Sequence, residues 1–314
     1  MPGGDGSSAT VRKVRRVAAS ETTVKAGRRV VRISNPGKQL FPADGITKLD
    51  LAEYYAAVAP AMVEHTRDRP LNLWRWNNGI DKDVVVQQAI PKGAPDWVRT
   101  VTVSRRKGGE ITKVVGGEAA TLVWLANQNC VTPHVWTARA DRPDSPDRIV
   151  FDFDPPDEGD GHFEQIRAGA LAIGEILRDR GLTPYAMTSG SRGIHVVAPL
   201  RRGPDSDTVR TVAGELAEEV AAQLPDALTT SWRKEGRGGR VLVDAARNTY
   251  AQTAVAAYAV RAKPGAPVAT PLRWEELSDP ELSPRRWTLR DIPARLEEHG
   301  DPWKGIAAAA ARLR

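Results

Sequence analysis

Several features that define other protein classes are missing from this sequence of 314 residues. It has a single cysteine, Cys130, so it cannot form an internal disulfide, and we expect a reducing compartment such as the cytoplasm. No apolar run approaches the roughly 20 residues needed to span a membrane, and residues 1–29 lack the apolar core of a signal peptide. A mean hydropathy of −0.41 fits a soluble globular protein, so we expect no membrane partner.

Well-known catalytic signatures are missing as well. The sequence contains no P-loop of the form Gly-x-x-x-x-Gly-Lys, no His-Glu-x-x-His and no Gly-x-Ser-x-Gly. It contains no Cys-x-x-Cys pair either. These absences argue against P-loop nucleotide hydrolases, zinc metalloproteases, paired-cysteine zinc sites and α/β-hydrolases.

Positive charge is concentrated near the N-terminus. Residues 1–32 contain eight Lys or Arg and two acidic residues, so they carry the whole formal net charge of +6, and the remainder is neutral. A basic segment beside a neutral body indicates a polyanionic partner, although many such segments are only solvated extensions. Residues 1–27, rich in Gly, Ser and Thr, are predicted to form a disordered basic arm. We expect one domain over 28–306 and a C-terminal tail over 307–314.

Strands and helices alternate along the predicted domain, which indicates a mixed α/β (α+β) class. Thr47, with Asp50 three residues later, has the spacing of a capping box for a helix that runs to about residue 66. Further helices are predicted over 118–127, 163–180, 207–224, 272–277 and 289–298. Strands are predicted over 29–34, 71–76, 84–86, 148–154, 187–197 (with a loop inside), 240–244 and 254–261, and on both sides of 107–109.

The segment Arg148–Pro155 alternates like a strand and carries two carboxylates. Period two places Val150, Asp152 and Asp154 on one face and three apolar side chains on the other. The two carboxylates then lie roughly 6.6 Å apart along the strand, which suits hard divalent cations such as Mg²⁺ or Mn²⁺. An acidic solvent-facing strand is one alternative, and metal-dependent glycosyl transfer also uses such a pair. Asp244 ends a later apolar strand and is placed to complete a triad of carboxylates.

Three later segments carry groups that suit phosphate. Ser189–His195 is a Gly- and Ser-rich loop between strands, and its backbone N–H groups, hydroxyls and guanidinium suit phosphate oxygens. An ordinary β-turn has a similar composition. The loop over 233–240 is basic, which suits phosphate, and the alternative interpretation is a solvated surface turn. Arg261 lies in Tyr258–Arg261, where a lone arginine is more often structural.

Two aromatic and two histidine side chains also have competing interpretations. Trp74 and Trp76 share one face of a predicted strand, and we expect one in the core and the other available to stack on a base, because stacking accepts any base. His134 and His195 contact phosphate or metal in one interpretation and are satisfied core histidines in the other.

Taken together and in this order, these residues resemble the polymerase domain of bacterial ligase D, a branch of the archaeo-eukaryotic primase superfamily. The resemblance extends from about Val30 to Gly305 and is specific. It rests on Ser34–Pro42, Thr47–Asp50, Pro95–Trp97, Asp141–Asp144, Phe151–Pro155, Thr188–His195, Val243–Asp244, Arg247–Asn248, Tyr258–Arg261 and Asp301–Trp303. It implies a primase-polymerase fold in which mixed β-sheets, flanked by helices, form a catalytic cleft.

The resemblance also implies roles for individual residues. Two divalent metals, Mn²⁺ or Mg²⁺, are assigned to Asp152, Asp154 and Asp244. The incoming nucleotide is assigned to His134, Ser189, Ser191, Arg192, His195, Arg247 and Arg261. The 5′-phosphate of a downstream strand is assigned to Asn35, Lys38 and Lys48, the templating base to Trp76, and the template and primer also to Arg237 in a mobile loop. Arg192 stands where many relatives have Lys, a change that keeps phosphate binding.

The function that the resemblance implies is template-directed nucleotidyl transfer, which extends 3′ ends at DNA gaps and double-strand breaks with a preference for ribonucleotides. The implied partners are gapped or broken DNA, nucleoside triphosphates, a separate DNA ligase and Ku, in the nucleoid-associated cytoplasm of a bacterium. Ligase D joins this domain to ligase and often nuclease domains, for which 314 residues leave no room, so a stand-alone or excised domain is expected. Two alternatives stay open: a DNA-end binding or bridging module without catalysis, and a primase that starts chains de novo.

Overall fold

The computed structural model describes residues 22–157, 159 and 161–313. Its strands are β1 (Thr22–Ala26), β2 (Arg29–Ile33), β3 (Gln39–Phe41), β4 (Ile46–Thr47), β5 (Leu71–Arg75), β6 (Val85–Gln87), β7 (Thr100–Ser104), β8 (Glu110–Val114), β9 (Cys130–Trp136), β10 (Arg148–Asp154), β11 (Tyr185–Thr188), β12 (Ile194–Pro199), β13 (Leu228–Thr229), β14 (Val241–Asp244), β15 (Thr253–Val255) and β16 (Thr270–Leu272). Its α-helices are α1 (Lys48–Thr66), α2 (Ala119–Asn127), α3 (Phe163–Asp179), α4 (Ser206–Gln223), α5 (Lys234–Arg237) and α6 (Ile292–His299). The predicted mixed α/β class is confirmed.

The acidic strand β10 lies inside a six-stranded sheet of order β13-β14-β10-β12-β11-β16. All neighbours are antiparallel except β13 and β14. Helices α3 and α4 cover one face of this sheet, where Ile149, Phe151 and Phe153 are buried. Val150 belongs to the core on the other face. The predicted alternation of this strand is therefore confirmed.

A smaller sheet of order β15-β9-β5-β6 shares a core with the larger one. Leu71 and Val135 of the smaller sheet pack in the same apolar cluster as Val150, Met187 and Val197 of the larger sheet. Helices α1 and α2 pack against each other and against this cluster. Beyond the shared core, polar residues of both sheets line a cleft at the acidic end of β10.

Helix α1 begins at the residue that the sequence predicts. The Thr47 hydroxyl accepts the Asp50 N–H at 3.2 Å, and the Asp50 carboxylate accepts the Thr47 N–H at 2.7 Å. This capping box satisfies backbone donors that would otherwise lack partners at the start of the helix. Further along, the Tyr54 hydroxyl donates to the Tyr258 carbonyl at 2.8 Å, which ties α1 to the segment that leads to Arg261.

The N-terminal boundary of the domain differs from the prediction. Residues 22–26, assigned to the disordered arm, form β1, which pairs with β2 along its whole length. Val24 and Ala26 are buried. A half-buried strand needs apolar residues at alternate positions alone, so the low apolar content of this segment was misleading. The remainder of the predicted arm, residues 1–21, lies outside the described residues.

Three predicted elements near the C-terminus also differ. The strand predicted over 254–261 is confined to β15, because Tyr258 has a φ of +66°, which no extended strand accommodates. The helix predicted over 272–277 is instead a 3₁₀ turn, Trp274–Ser278, after β16. Within the predicted tail, Ala311 forms a parallel bridge with Leu200, so this part packs on the domain. None of the described helices is long and apolar enough to cross a membrane.

Candidate active site

A cleft of about 320 Å³ lies between the two sheets. This volume lies within the range of cavities that bind small molecules. The residues around it come from strands on both sides, so the cleft depends on how the two sheets pack. The predicted site residues that line it are His134, Asp152, Asp154, Ser189, Ser191, Arg192, His195, Arg247 and Arg261.

Strand pairing brings the three predicted acids together. Asp152 on β10 is directly opposite Asp244 on β14, and Asp154 lies two residues further along the same face of β10. On the other side of β10, Asp152 pairs with His195 of β12, whose Nε2 lies 3.2 Å from the Asp152 Oδ1. Like charges directly opposite each other destabilise a sheet, so this arrangement requires positive charge nearby.

Arginine side chains provide that charge. The Arg247 Nε lies 3.2 Å from one carboxylate oxygen of each member of the opposed pair. The Arg192 Nη2 lies 2.9 Å from the Asp154 Oδ1, and the Arg237 Nη1 lies 3.4 Å from the Asp154 Oδ2. Each of the three acids therefore contacts a guanidinium.

The two opposed acids have opposite pKa shifts. Burial raises the pKa of Asp244 above its ordinary value, and the charge of Asp152 adds to this effect while Arg247 opposes it. Burial also acts to raise the pKa of Asp152, but His195 and Arg247 outweigh it and hold that pKa well below the ordinary range. Asp152 is therefore anionic at neutral pH. An additional cation would stabilise the anionic form of Asp244 more than that of Asp152.

The donor chemistry of this acid group fits a divalent cation. Carboxylate oxygens are the ligands that Mg²⁺ and Mn²⁺ prefer, and the acids lie on neighbouring strands of a rigid sheet. Within the described ranges, no group of three or more His, Cys, Asp or Glu side chains is arranged to hold a metal ion. The carboxylates are directed at Arg247, Arg192 and Arg237 instead. The two-metal assignment thus stays a prediction.

Ser189 organises the predicted phosphate loop from within. Its hydroxyl accepts the N–H groups of Ser191, Arg192 and Gly193 at 3.0–3.2 Å. These N–H groups, which were predicted to suit phosphate oxygens, therefore already have a partner inside the loop. The side chains of Ser191 and Arg192 still line the cleft. Gly190 has a φ of +63°, and a Cβ there would lie 2.6 Å from the carbonyl carbon of Val268, so the turn requires glycine.

Arg261, His134 and Trp74 line the cleft with the acids. The Arg261 Nη1 donates to the Ser189 carbonyl at 2.5 Å, and burial lowers the pKa of Arg261 to about 10. The buried His134 ring stacks on Trp74, with centroids 4.6 Å apart and planes 5° apart. Burial, followed by the charge of Arg261, lowers the pKa of His134 well below its ordinary value. His134 is therefore neutral, and its buried Nε2 has no hydrogen-bond partner among the described residues.

Two of the residues predicted to bind a 5′-phosphate meet outside this cleft. The Lys38 ammonium donates to a backbone carbonyl, that of Asn77. The Lys48 ammonium donates to the Asn127 carbonyl at 3.2 Å, and Lys48 is 3% exposed. Burial, and then the charges of Lys38 and Arg75, lower the pKa of Lys48 to about 8. Lys38, Lys48 and Arg75 are close enough for their charges to interact, and we call this group of three cations the lysine pocket.

The remaining predicted residues have different positions. Asn35 lies in the turn before Lys38, whose N–H it accepts at 3.0 Å. Arg237 reaches the acid group through Asp154. Trp76 is 9% exposed and belongs to the core, whereas Trp74 lines the cleft. A contact between Trp76 and a templating base stays a prediction.

Sequence reasoning missed several polar residues of these sites, among them Asn72 and Arg75. Asn72 lines the cleft and accepts a hydrogen bond from the Lys113 ammonium at 2.5 Å. The period of β5 provides a signal for it, because Asn72 and Trp74 lie on one face of a strand. Arg75 adds a third cation to the lysine pocket, with its Nε donating to the Gln128 carbonyl at 2.7 Å. Strand periodicity is a weaker guide to Arg75, because the pairing register of β5 with β9 shifts between Trp74 and Arg75.

Known proteins with similar sequences share one description. Residues 47–303 match the family model described as LigD, primase-polymerase domain. The multifunctional non-homologous end joining DNA repair protein LigD of Mycobacterium tuberculosis is 33% identical over 289 residues, which cover 89% of this chain and 37% of that protein. LigD of Pseudomonas aeruginosa is 31% identical over 298 residues, which cover 94% of this chain and 35% of that protein. The chain thus spans little more than a third of these relatives.

A solved structure matches the fold as well. The polymerase domain from Mycobacterium tuberculosis ligase D, in complex with DNA, has a TM-score of 0.82 and 32% sequence identity with this protein, covering 89% of this chain and 99% of that one. The predicted primase-polymerase architecture is confirmed by this match. Because the family model also covers most of the sequence, the chain belongs to the LigD primase-polymerase domain family.

Proposed function

We propose that this domain is a template-directed nucleotidyltransferase that extends 3′ ends at DNA gaps and double-strand breaks. The observation that carries the proposal is the meeting of Asp152, Asp154 and Asp244 on two paired strands, beside a cleft that also contains Arg261 and His134. Transfer of a nucleotidyl group requires positioning and neutralisation of a triphosphate more than covalent chemistry. Membership of the LigD primase-polymerase family supports the same assignment.

The three carboxylates are proposed to hold two Mn²⁺ or Mg²⁺ ions. When bound, such a pair lowers the pKa of the attacking hydroxyl and stabilises both oxygens of an in-line displacement. Asp152 is suited to this role because His195 and Arg247, against the effect of burial, keep its pKa low. Arg247 bridges Asp152 and Asp244, so cations held by these carboxylates would compete with its guanidinium.

The incoming nucleotide is proposed to contact the cationic side of the cleft. Arg192 and Arg261 can each present two N–H groups to phosphate oxygens. The Ser189 carbonyl orients the Arg261 guanidinium, which lowers the entropy lost on binding. His134 is neutral because burial lowers its pKa, so its Nε2 offers a hydrogen bond to the nucleotide without adding charge. The side chain of Ser191 is placed beside them.

The lysine pocket is proposed to recognise the 5′-phosphate of the downstream strand, together with Asn35. Such a phosphate carries about one more negative charge than an internal phosphodiester. Lys38 and Lys48 donate to backbone carbonyls, and no ion pair with a carboxylate engages either lysine among the described contacts. Lys48 is also the first residue of α1, where the helix N-terminus favours an anion. The pocket therefore has charge that a phosphate can neutralise.

The cellular role is proposed from the family. The relatives are named as non-homologous end joining proteins, and the structural neighbour is a complex with DNA. We place this domain in end joining or gap-filling repair in the bacterial cytoplasm, with a DNA ligase and Ku as partners. A preference for ribonucleotides belongs to the same proposal and rests on the family resemblance.

One extension assay tests these points together. A duplex with a 5′-phosphorylated gap is incubated with Mn²⁺ or Mg²⁺ and with ribonucleotides or deoxyribonucleotides, and an unprimed template is run in parallel. We expect extension across the gap, faster with ribonucleotides. Tight binding of the gap without extension under any of these conditions would favour a DNA-end bridging module, and products on the unprimed template would favour a primase.

A further inference from the structure

A second cavity, of about 400 Å³, lies at the opposite end of β10 from the acids. Arg148 begins this strand, four residues before Asp152, and is therefore about 13 Å from it along the strand. The end of α1, the start of β10 and the C-terminal 3₁₀ turn Ile306–Ala309 form its walls. Its charged lining residues are Glu64, Arg67, Arg69, Arg139, Asp147 and Arg148, and we call it the arginine cavity.

Positive charge outnumbers negative charge in the arginine cavity. Its four arginines face two carboxylates. The Asp147 carboxylate lies 2.6 Å from the Arg69 Nη2 and 2.7 Å from the Arg139 Nε, so each of its oxygens already lies in an ion pair. Glu64 accepts the backbone N–H of Gly305 at 2.7 Å. The cavity therefore has a formal excess of two positive charges, which its own acids do not balance.

Arg148 has weak contacts for a buried guanidinium. It is 9% exposed, and its described contacts are 4.0 Å to an oxygen of Asp147 and 3.5 Å to the His65 carbonyl. Both lie outside the range of good hydrogen bonds. Burial, followed by the charge of Arg69, lowers the pKa of Arg148 to about 9. Arg69 is better satisfied, because its Nη1 donates to the carbonyls of Trp136 and Thr137 at 3.2 and 3.0 Å, and only its buried Nε has no hydrogen-bond partner in the described part of the chain.

A buried cation with only long contacts, such as Arg148, costs free energy, and an anion that supplies closer ones reduces that cost. Asp68, close to the cavity, does not supply them, because its carboxylate lies 2.7 Å from Arg99 and only 3.9 Å from Arg139. Arg67 is exposed at the edge of the cavity, where it can attract an anion from solvent. Because Arg148 is buried and lines the cavity, the site suits a compact anion better than the continuous backbone of a duplex.

We infer that the arginine cavity is a binding site for a small phosphate anion, inorganic phosphate or pyrophosphate. Arg148 and Arg67 would donate to its oxygens, and the guanidinium fork suits this geometry. The cavity wall includes Ile306 and Ala307 as well as residues of α1 and β10. A bound anion would therefore hold the C-terminal turn against α1 and protect its backbone from solvent.

Hydrogen–deuterium exchange locates such binding without reference to activity. The complete chain is compared in phosphate, in pyrophosphate and in chloride of equal ionic strength. We expect slower exchange over residues 64–69, 139–148 and 305–311 in phosphate or pyrophosphate. A 5′-phosphorylated oligonucleotide forms a further arm. Protection of these segments by the oligonucleotide alone, or by none of the phosphates, would overturn the assignment.

Variants then separate this cavity from the cleft. Arg148→Met removes the charge and keeps an apolar side chain, and Asp147 retains Arg69 and Arg139 as close partners. We expect it to weaken phosphate binding measured by calorimetry at least about tenfold, the effect of losing one charge-assisted hydrogen bond, and to abolish protection of the three segments. Arg67→Ala, at an exposed position, should weaken binding without a folding risk. Arg180→Ala, a surface arginine paired with Glu219, is the matched control and should bind as wild type. Unchanged protection in Arg148→Met would refute the site.

Discussion

The acid group of the cleft and the lysine pocket both bring like charges close together, but the charges have different partners in the two sites. In the cleft, Asp152 and Asp244 are opposed across two strands, and Arg247 lies against both. In the lysine pocket, Lys38 and Lys48 donate to backbone carbonyls, and no described carboxylate pairs with either. One site therefore has its charges matched inside the protein, while the other has positive charge left for a ligand.

This difference predicts different behaviour on binding. A cation that enters the cleft has to compete with guanidinium groups already at the carboxylates, so binding is coupled to movement of Arg247 and Arg192. A phosphate that enters the lysine pocket meets ammonium groups whose present partners are uncharged. Burial and neighbouring charges lower the pKa of Lys48 to about 8, which is the expected sign of a cation that lacks an anion. The experiments below test whether the two sites differ in this way.

The largest effect is expected from the opposed acids. Asp152→Asn and Asp244→Asn each keep the shape of the side chain and remove a charge, and we expect each to lower the rate of primer extension more than about 100-fold, the scale of losing one main electrostatic contact to a transition state. Circular dichroism should show an unchanged fold. Asp141→Asn, at an exposed acid paired with Arg202, is the control. Extension near the wild-type rate in either cleft variant would refute the metal assignment.

The next effect is expected from the cationic side of the cleft. Arg261→Ala should raise the KM for the nucleotide and lower kcat/KM by roughly 10- to 150-fold, because a charge-assisted contact is worth about 1.5–3 kcal/mol. Arg261→Lys should recover part of the loss, since it keeps the charge and loses the fork. Steady-state kinetics on a gapped duplex measure both. If kcat/KM stays at the wild-type value in Arg261→Ala, the arginine belongs to the scaffold around Ser189.

A smaller effect is expected from the lysine pocket. Wild type should bind a 5′-phosphorylated gap more tightly than a 5′-hydroxyl gap, and Lys38→Ala combined with Lys48→Ala should remove about a tenfold preference or more. Affinity for the 5′-hydroxyl gap should change less. Fluorescence anisotropy at about 0.1 M salt, which damps general attraction to the backbone, measures all four affinities. Equal affinity of wild type for the two ends would exclude the pocket as a phosphate site.

The smallest effect concerns pH. Because the pKa of Lys48 is lowered to about 8, the free protein carries this charge below pH 8 and loses it as the pH rises through that value. The preference for the 5′-phosphate should therefore decrease between pH 7 and pH 9. Lys48→Arg should keep its preference over this interval, because guanidinium stays protonated. A preference in wild type that does not change with pH would show that Lys48 adds no binding energy.

Much of the fold was predictable from local patterns. The capping box at Thr47 and Asp50 is formed as predicted, and β10 buries its apolar face and presents its acids on the other. These features depend on residues close in sequence, where periodicity and backbone geometry act directly. The prediction of disorder for residues 22–26 failed for the opposite reason. Thr22–Ala26 is polar overall, and its order comes from pairing with β2 and from the burial of Val24 and Ala26.

The site shows the same division. Residue types at β10, β14 and the Ser189 loop, with their resemblance to a known family, predicted the acids that strand pairing brings together and the arginines that line the cleft. Local pattern did not predict that Ser189 binds the loop N–H groups itself, or that Trp74 rather than Trp76 lines the cleft. Arg75 was missed because its contribution depends on Lys48, which is distant in sequence.

By itself, the sequence determined most of the element types, the family and the residues proposed to hold cations and phosphate, because these follow from side-chain chemistry and short-range spacing. The tertiary structure alone decided which charges meet. Asp152 and Asp244 are far apart in the chain and are opposed by strand register, and Arg148 lies in a cavity closed by the C-terminal turn. Electrostatic energy depends on distance and burial, and both are set by packing between segments that the order of residues does not bring together.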